Sequence, residues 1–136
     1  MRYLGIDYGT KKVGLALSDE AGTMGFPNSI VANTRVLADT LVALISRESV
    51  GGIVIGESRN LSGEDNPIVP AAHALGDEIA LRTGLPVMYE SELYTTAEAR
   101  RQHTKENKSR ATKEEPDVDD SAAALILTSY LTRIRA

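Results

Sequence analysis

The residues best suited to chemistry in this chain are acidic, and they fall where strands and helices begin or end. Gly5-Ile6-Asp7-Tyr8-Gly9-Thr10-Lys11-Lys12-Val13-Gly14-Leu15-Ala16 runs the apolar strand Tyr3–Ile6 into Asp7, adds two glycines, and starts a second strand. An ionised carboxylate at the end of a buried strand is costly without a partner. Opening onto a tight turn, it is a natural ligand for a hard cation that also holds phosphate oxygens. Asp and Gly also shape ordinary hairpins, so the other acids decide. Glu92 closes the strand Val87–Glu92, and Asp119 lies in the first turn of the final helix. Each has a rival: period two places Glu90 on the same strand face as Glu92. Asp119-Ala123-Ile126-Tyr130 and Asp120-Ala124-Leu127-Leu131 are equally apolar rows. Converging carboxylates repel unless cations hold them, and Mg²⁺ or Mn²⁺ supplies that need with oxygen ligands. Two such ions about 4 Å apart clamp a phosphodiester, generate hydroxide from water and steady the leaving oxygen. No nucleophilic side chain is then required, which suits a chain without Cys and with only His73 and His103. His73 reads as a packing or surface residue of the second helix.

The elements that must position these acids alternate in period. Tyr3–Asp7, Lys12–Ser18 and about Met24–Val31 read as an antiparallel meander, with Glu20-Ala21-Gly22 turning between the last two. Pro27 marks the third strand as an edge or a bulge. Leu37, Leu41, Leu44, Ile45 and Val50 carry an amphipathic helix over about Arg35–Arg47. Gly51-Gly52 ends it and starts the short strand Ile53-Val54-Ile55. After the polar loop Gly56–Asp65, Asn66-Pro67 caps a second helix whose buried stripe is Ile68, Ala72, Leu75 and Ile79. Gly84 closes that helix, and the strand Val87–Glu92 follows. Thr95 and Glu98 fit a capping box for a helix to about His103. Lys105–Pro116 is charged and aperiodic, and the last helix spans about Asp117–Arg133. The order βββαβαβαα implies an α/β fold: a mixed five-stranded sheet, antiparallel meander first and parallel strands after, flanked by helices. Its strand ends share a crevice at one edge.

A chain of 136 residues, 42% hydrophobic and 25% charged, is of a size for one domain with a proper core. Aromatics are few, which argues against a base-stacking platform for single strands. The absence of Cys excludes disulfides, zinc–thiolate sites and cysteine nucleophiles. With no signal peptide or spanning apolar run, the sequence is expected to be cytoplasmic. The net charge of −4 conceals an asymmetry. Arg100, Arg101, Lys105, Lys108, Arg110 and Lys113 stand against Glu106 alone, a local +5 that leaves −9 for the remainder. A basic segment over about 100–116 on an acidic body suits a phosphate-rich partner.

These residues resemble the YqgF family of pre-16S rRNA nucleases and Holliday junction resolvases, whose fold is RNase H-like and akin to the RuvC resolvases. The likeness spans nearly the whole chain. GIDYGTKKVGLALSD matches the first motif, Ile53–Gly56 the strand ending in Gly, and Glu92-Leu93-Tyr94-Thr95-Thr96 a segment usually reading Asp-Glu-Arg-Leu-Thr-Thr. Val118-Asp119-Asp120-Ser121-Ala122-Ala123-Ala124-Leu125-Ile126-Leu127 matches the closing helix. The resemblance implies one RNase H-like nuclease domain over residues 1–136 and selects Asp7, Glu92 and Asp119 as catalytic, metal-binding acids for Mg²⁺ or Mn²⁺. Departures fall at Gly56-Glu57-Ser58, where the family commonly has Gly-Leu-Pro, and at Ser91 and Leu93, which replace the usual Asp and Arg. The lost Arg removes a phosphate clamp, and Glu57 adds negative charge near the expected crevice, with Arg59 in the same loop to compensate. The reading is then a metal-dependent nuclease acting in pre-16S rRNA 5′-end maturation. Lys11, Lys12, Arg59, Arg100, Arg101, Lys105, Lys108 and Arg110 hold the nucleic-acid backbone, in a monomer or weak homodimer. Alternatives are resolution of branched DNA and a non-catalytic RNA-binding assembly factor. Gly-Ile-Asp-x-Gly-Thr also opens the phosphate loop of actin-like ATPases and sugar kinases, but those need two such domains and a second Gly-rich loop.

Overall fold

The structure, a computed structural model, describes residues 1–57, 68–91 and 119–135. Its elements are β1 (Arg2–Tyr8), β2 (Lys12–Ser18), β3 (Gly25–Ala32), α1 (Leu37–Arg47), β4 (Val50–Glu57), α2 (Val69–Thr83), β5 (Val87–Ser91) and α3 (Asp120–Arg135). The sheet order is β3-β2-β1-β4-β5. β1 pairs antiparallel with β2 and parallel with β4, β2 antiparallel with β3, and β4 parallel with β5. This is the expected mixed sheet, with a meander followed by crossover strands. Pro27 lies on the edge strand β3 and beside an irregularity: Leu15 pairs with Ser29 and Ala16 with Pro27, which leaves Asn28 as the extra residue. A proline without an N–H is tolerated at such a place.

Strand alternation sorts the core into two layers. Leu4, Ile6, Val13, Leu15, Ile53 and Ile55 pack on Leu37, Leu41, Leu44 and Ile45 of α1 and on Ala72, Leu75 and Ile79 of α2. On the other face Ala16 and Val54 meet Ala123, Ala124, Ile126, Leu127 and Leu131 of α3, with Tyr3, Met88 and Tyr130 at the margin. Both apolar rows of α3 are therefore buried, which is why helical periodicity could not choose between Asp119 and Asp120. Each fully buried Leu or Ile contributes about 1.5–3 kcal/mol. Among the described residues no helix is long and apolar enough to cross a membrane.

The clearest departures from expectation lie at β4 and at the start of α1, while α1 ends at Arg47 as expected. β4 is eight residues long, not three, and Val50 opens it instead of ending the helical stripe. α1 stops at Arg47, and Ser49, at φ 54°, turns the chain in the left-handed region. Gly51 and Gly52 do not break the chain there. They make room in the strand for Met1 and Tyr3, since a Cβ on Gly52 would lie 2.9 Å from the Tyr3 ring. α1 begins at Leu37 after a turn in which Thr34 accepts the Leu37 N–H at 3.1 Å. α2 closes at Gly84 (φ 72°) as expected, whereas Asn66 and Pro67 lie outside the described residues.

Candidate active site

Asp7 lies near the carboxyl end of β1 and is buried, with 3% of its surface exposed. Its cross-strand partner is Gly14 on β2. A side chain at Gly14 would overlap the backbone carbonyl of Asp119, so this glycine is the seat on which the start of α3 rests. The Asp119 N–H donates to Asp7 Oδ2 at 3.3 Å, joining residues 112 apart in sequence. A carboxylate at a helix N-terminus gains roughly 0.3–1 kcal/mol from the helix dipole, more when partly buried. The contact also fixes the orientation of the Asp7 side chain.

Asp119 precedes the first turn of α3 and caps it. Its Oδ1 accepts the Ala122 N–H at 2.7 Å, and its carbonyl accepts the Ala123 N–H at 3.1 Å. This is the N-cap role typical of Asp, and it brings the backbone of residue 119 against the sheet. Gly5 extends the close approach: a Cβ there would lie 2.9 Å from Leu127 Cβ and 3.0 Å from the Ala123 carbonyl. Gly25 does the same on β3, at 2.9 Å from Leu127 Cβ, and its N–H donates to Thr128 Oγ1 at 3.0 Å. Small residues on both sides, Ala123 and Ala124 on the helix and glycines on the strands, set α3 close to the sheet.

Glu90 is not on a solvated strand edge. It is 0% exposed on the α3 side, where Ser129 Oγ donates to its Oε2 at 2.9 Å and Arg133 pairs with both oxygens. Such charge-assisted, two-pronged bonds offset the desolvation of a buried acid. Ile6, Ile55 and Tyr89 lie in register across β1, β4 and β5, so Asp7 and Glu90 each stand one residue beyond that row. Arg133 and Ser129 are partners that the sequence alone does not reveal. Their signal was i, i+4 spacing on the last helix, facing an acid of unassigned partner.

Glu57 does not add charge on the Asp7 face. It belongs to the α2 side, where its Oε2 lies 2.7 Å from His73 Nε2. The His73 ring stacks on Tyr89 at 4.0 Å and 2°, so this histidine packs as expected. Gly76 gives Tyr89 its place, because a Cβ on Gly76 would collide with the phenol oxygen. Burial, with the negative charges of Asp77 and Glu57 nearby, pushes the Tyr89 phenol up.

The turn after Asp7 is held from β3's side. Asn33 Nδ2 donates to the Gly9 carbonyl at 2.7 Å, and the Asn33 N–H donates to the Lys11 carbonyl at 3.0 Å. Lys11 is exposed and Lys12 half-buried, on the same edge of the sheet as Asp7. Glu92, Arg59, Arg100, Arg101, Lys105, Lys108 and Arg110 lie outside the described residues, as do Thr95, Glu98 and His103. Among the described residues no three His, Cys, Asp or Glu side chains group to hold a metal ion. Of the three expected acids, Asp7 and Asp119 lie within the described residues, joined through the Asp119 backbone N–H.

The fold defines a class, the RNase H-like proteins. Solved structures agree on the fold. Thermus thermophilus RuvC in complex with a Holliday junction substrate is similar over 99% of this chain and 95% of its own, with a TM-score of 0.69 at 18% identity. The fowlpox virus Holliday junction resolvase is similar over 98% and 99%, with a TM-score of 0.58 at 14% identity. Residues 1–133 match the model of the family described as "RuvX: Holliday junction resolvase". An Oenococcus oeni protein named "Putative pre-16S rRNA nuclease" is 36% identical, covering 98% of this chain and 95% of its own. A protein of the same name from Rhizobium rhizogenes is 35% identical over 97% and 81%. The chain belongs to the RuvX family, the YqgF family of the sequence reading, and its class of activity is that of a nuclease.

Proposed function

We infer that this nuclease hydrolyses phosphodiester bonds of structured RNA in 5′-end maturation of pre-16S rRNA, in the cytoplasm, with Asp7, Glu92 and Asp119 as its catalytic acids. One observation supports the reading: the buried Asp7 carboxylate accepts the Asp119 backbone N–H at 3.3 Å, which brings the start of α3 to the end of β1 across 112 positions of sequence. The names of the Oenococcus oeni and Rhizobium rhizogenes relatives favour pre-16S rRNA as substrate.

The three acids would hold Mg²⁺ or Mn²⁺, as one or two ions, which supplies positive charge to a phosphodiester and acidifies water. The protein's own contribution is placement. Gly14 and the α3 N-terminus position Asp7, and the α3 cap positions Asp119. Lys11 and Lys12 hold the phosphate backbone beside Asp7, and Arg59, Arg100, Arg101, Lys105, Lys108 and Arg110 extend the contact. Resolution of four-way DNA junctions is the second reading, favoured by the description of the family.

The test is cleavage of a precursor 16S 5′-leader RNA and of a four-way DNA junction, with Mg²⁺, Mn²⁺ or EDTA, by wild type and Asp7→Asn. Metal-dependent cutting of the RNA, absent from Asp7→Asn, is the expected result. Preferred cutting of the junction would replace the substrate, and equal cutting by Asp7→Asn would remove the acids from the mechanism.

A further inference from the structure

Asn33 makes two contacts that no catalytic argument has used. Its side-chain amide donates to the Gly9 carbonyl at 2.7 Å and its backbone N–H to the Lys11 carbonyl at 3.0 Å. The two accepting carbonyls flank Thr10, so a single residue grips both sides of the turn joining β1 to β2. That turn starts two residues after Asp7 and carries Lys11 and Lys12. The backbone contact continues the β2–β3 ladder, in which Lys12 pairs with Ala32, and any residue at position 33 could make it. The side-chain contact depends on Asn. Of the polar side chains, only an amide offers an uncharged N–H₂ donor at this reach, with Gln one methylene longer.

The chemistry gives the grip a purpose. A glycine-containing turn is conformationally loose, and lysines contribute to phosphate binding in proportion to how well their base is held, since ordering them on binding costs entropy. Asn33 also precedes Thr34, whose carbonyl and hydroxyl hold the start of α1. The amide thus ties the turn to the short connection between β3 and α1.

We propose that Asn33 is a positioning residue for nucleic-acid binding, clamping the Gly9–Lys12 turn so that Lys11 and Lys12 are pre-set beside Asp7. The proposal rests on the reading of Lys11 and Lys12 as phosphate contacts. It concerns substrate affinity, not the chemical step, so its signature is a raised KM at nearly constant kcat.

The experiment compares wild type, Asn33→Ala, Asn33→Gln, Lys11→Ala and the Asn33→Ala/Lys11→Ala double variant. It measures binding and cleavage of the 5′-leader RNA, melting temperature, and amide hydrogen exchange over residues 9–13. Asn33→Ala should weaken binding about fivefold, the scale of one side-chain hydrogen bond, with kcat within about twofold and faster exchange in the turn. Asn33→Gln, which keeps the donor, should lie between Ala and wild type. The effect of Asn33→Ala should shrink when Lys11 is already Ala, because the two act through one contact. Unchanged binding, additive effects of the two substitutions, or kcat and KM damaged together in step with a lowered melting temperature would each overturn the proposal. If wild type binds RNA but cuts nothing, the nuclease reading of Asp7 fails while binding and exchange still decide on Asn33.

Discussion

Gly14→Ala is the sharpest perturbation available, because the added methyl meets backbone and not a movable side chain. The Cβ would overlap the carbonyl group of Asp119 and come 2.9 Å from the Asp120 nitrogen, at the first turn of α3. Neither β2, paired on both sides, nor the capped helix start can give way locally. α3 must therefore lift at its N-terminal end. Overpacking of this kind costs about 1–3 kcal/mol, and loosening the Asp119 N–H from a carboxylate adds about 1.5 kcal/mol. The expected loss is about 2.5–4.5 kcal/mol, a large share of a typical domain's roughly 5–15 kcal/mol. Urea unfolding followed by circular dichroism would measure it. Gly5→Ala is the control, since its Cβ meets Leu127 and Ala123 at 2.9–3.0 Å in the middle of α3, away from Asp7. Both variants should lose stability, but Gly14→Ala should lose cleavage well beyond its unfolded fraction. A Gly14→Ala protein with wild-type stability and activity would refute the close seat of Asp119 on β2.

Two further outcomes follow from the charged contacts. Arg133→Ala removes the principal cation from the fully buried Glu90, leaving Ser129 as a donor. A loss of about 3 kcal/mol in urea unfolding is expected, with a smaller loss for Arg133→Ala combined with Glu90→Leu. Asp19 ties the β2–β3 turn by accepting from Thr23 Oγ1 at 2.6 Å, Thr23 N–H at 2.8 Å and Met24 N–H at 3.1 Å. Those bonds, the Thr23 hydroxyl first, lower its carboxyl from 3.8 to about 2. A depressed folded value favours the native state above the unfolded value. The melting-temperature advantage of wild type over Asp19→Asn should thus be full well above pH 3.8 and be lost as pH falls through about 2. An advantage that stays undiminished from about pH 5 down to about pH 2 would discount the carboxylate.

The architecture was legible because periodicity reports burial. The β2 bounds, the switch to a helical period near Leu37 and the Gly84 stop all rest on local chemistry that tertiary contacts did not override. Gly51-Gly52 was misread for the opposite reason. Glycine pairs look like breakers, yet here the missing side chains are space for Met1 and Tyr3, a neighbour relation no local pattern carries. The same applies to Glu57, whose charge was legible but whose partner His73 arrives from α2 on the far side of the sheet from α3. Asp7 stood out in the sequence as a charge ending an apolar strand. Its contact with Asp119 did not, since the signal is distributed between Gly14 and a helix start more than a hundred residues away.

That separation has a consequence for how the protein comes into being. A ribosome releases β1 and β2 first, while the face of the sheet that carries Gly5, Asp7 and Gly14 waits for α3, whose seats on Gly25 and Asp7 join residues 103 and 112 apart. Contacts of such high sequence separation form late. Until residues 119–131 emerge, the growing chain carries Asp7 without its anchor and an apolar sheet face without its cover. The packing around Asp7 is completed only once the last helix has left the ribosome. The same order makes the nascent meander a client for chaperones, and truncation before α3 should yield aggregation, not a weakened enzyme.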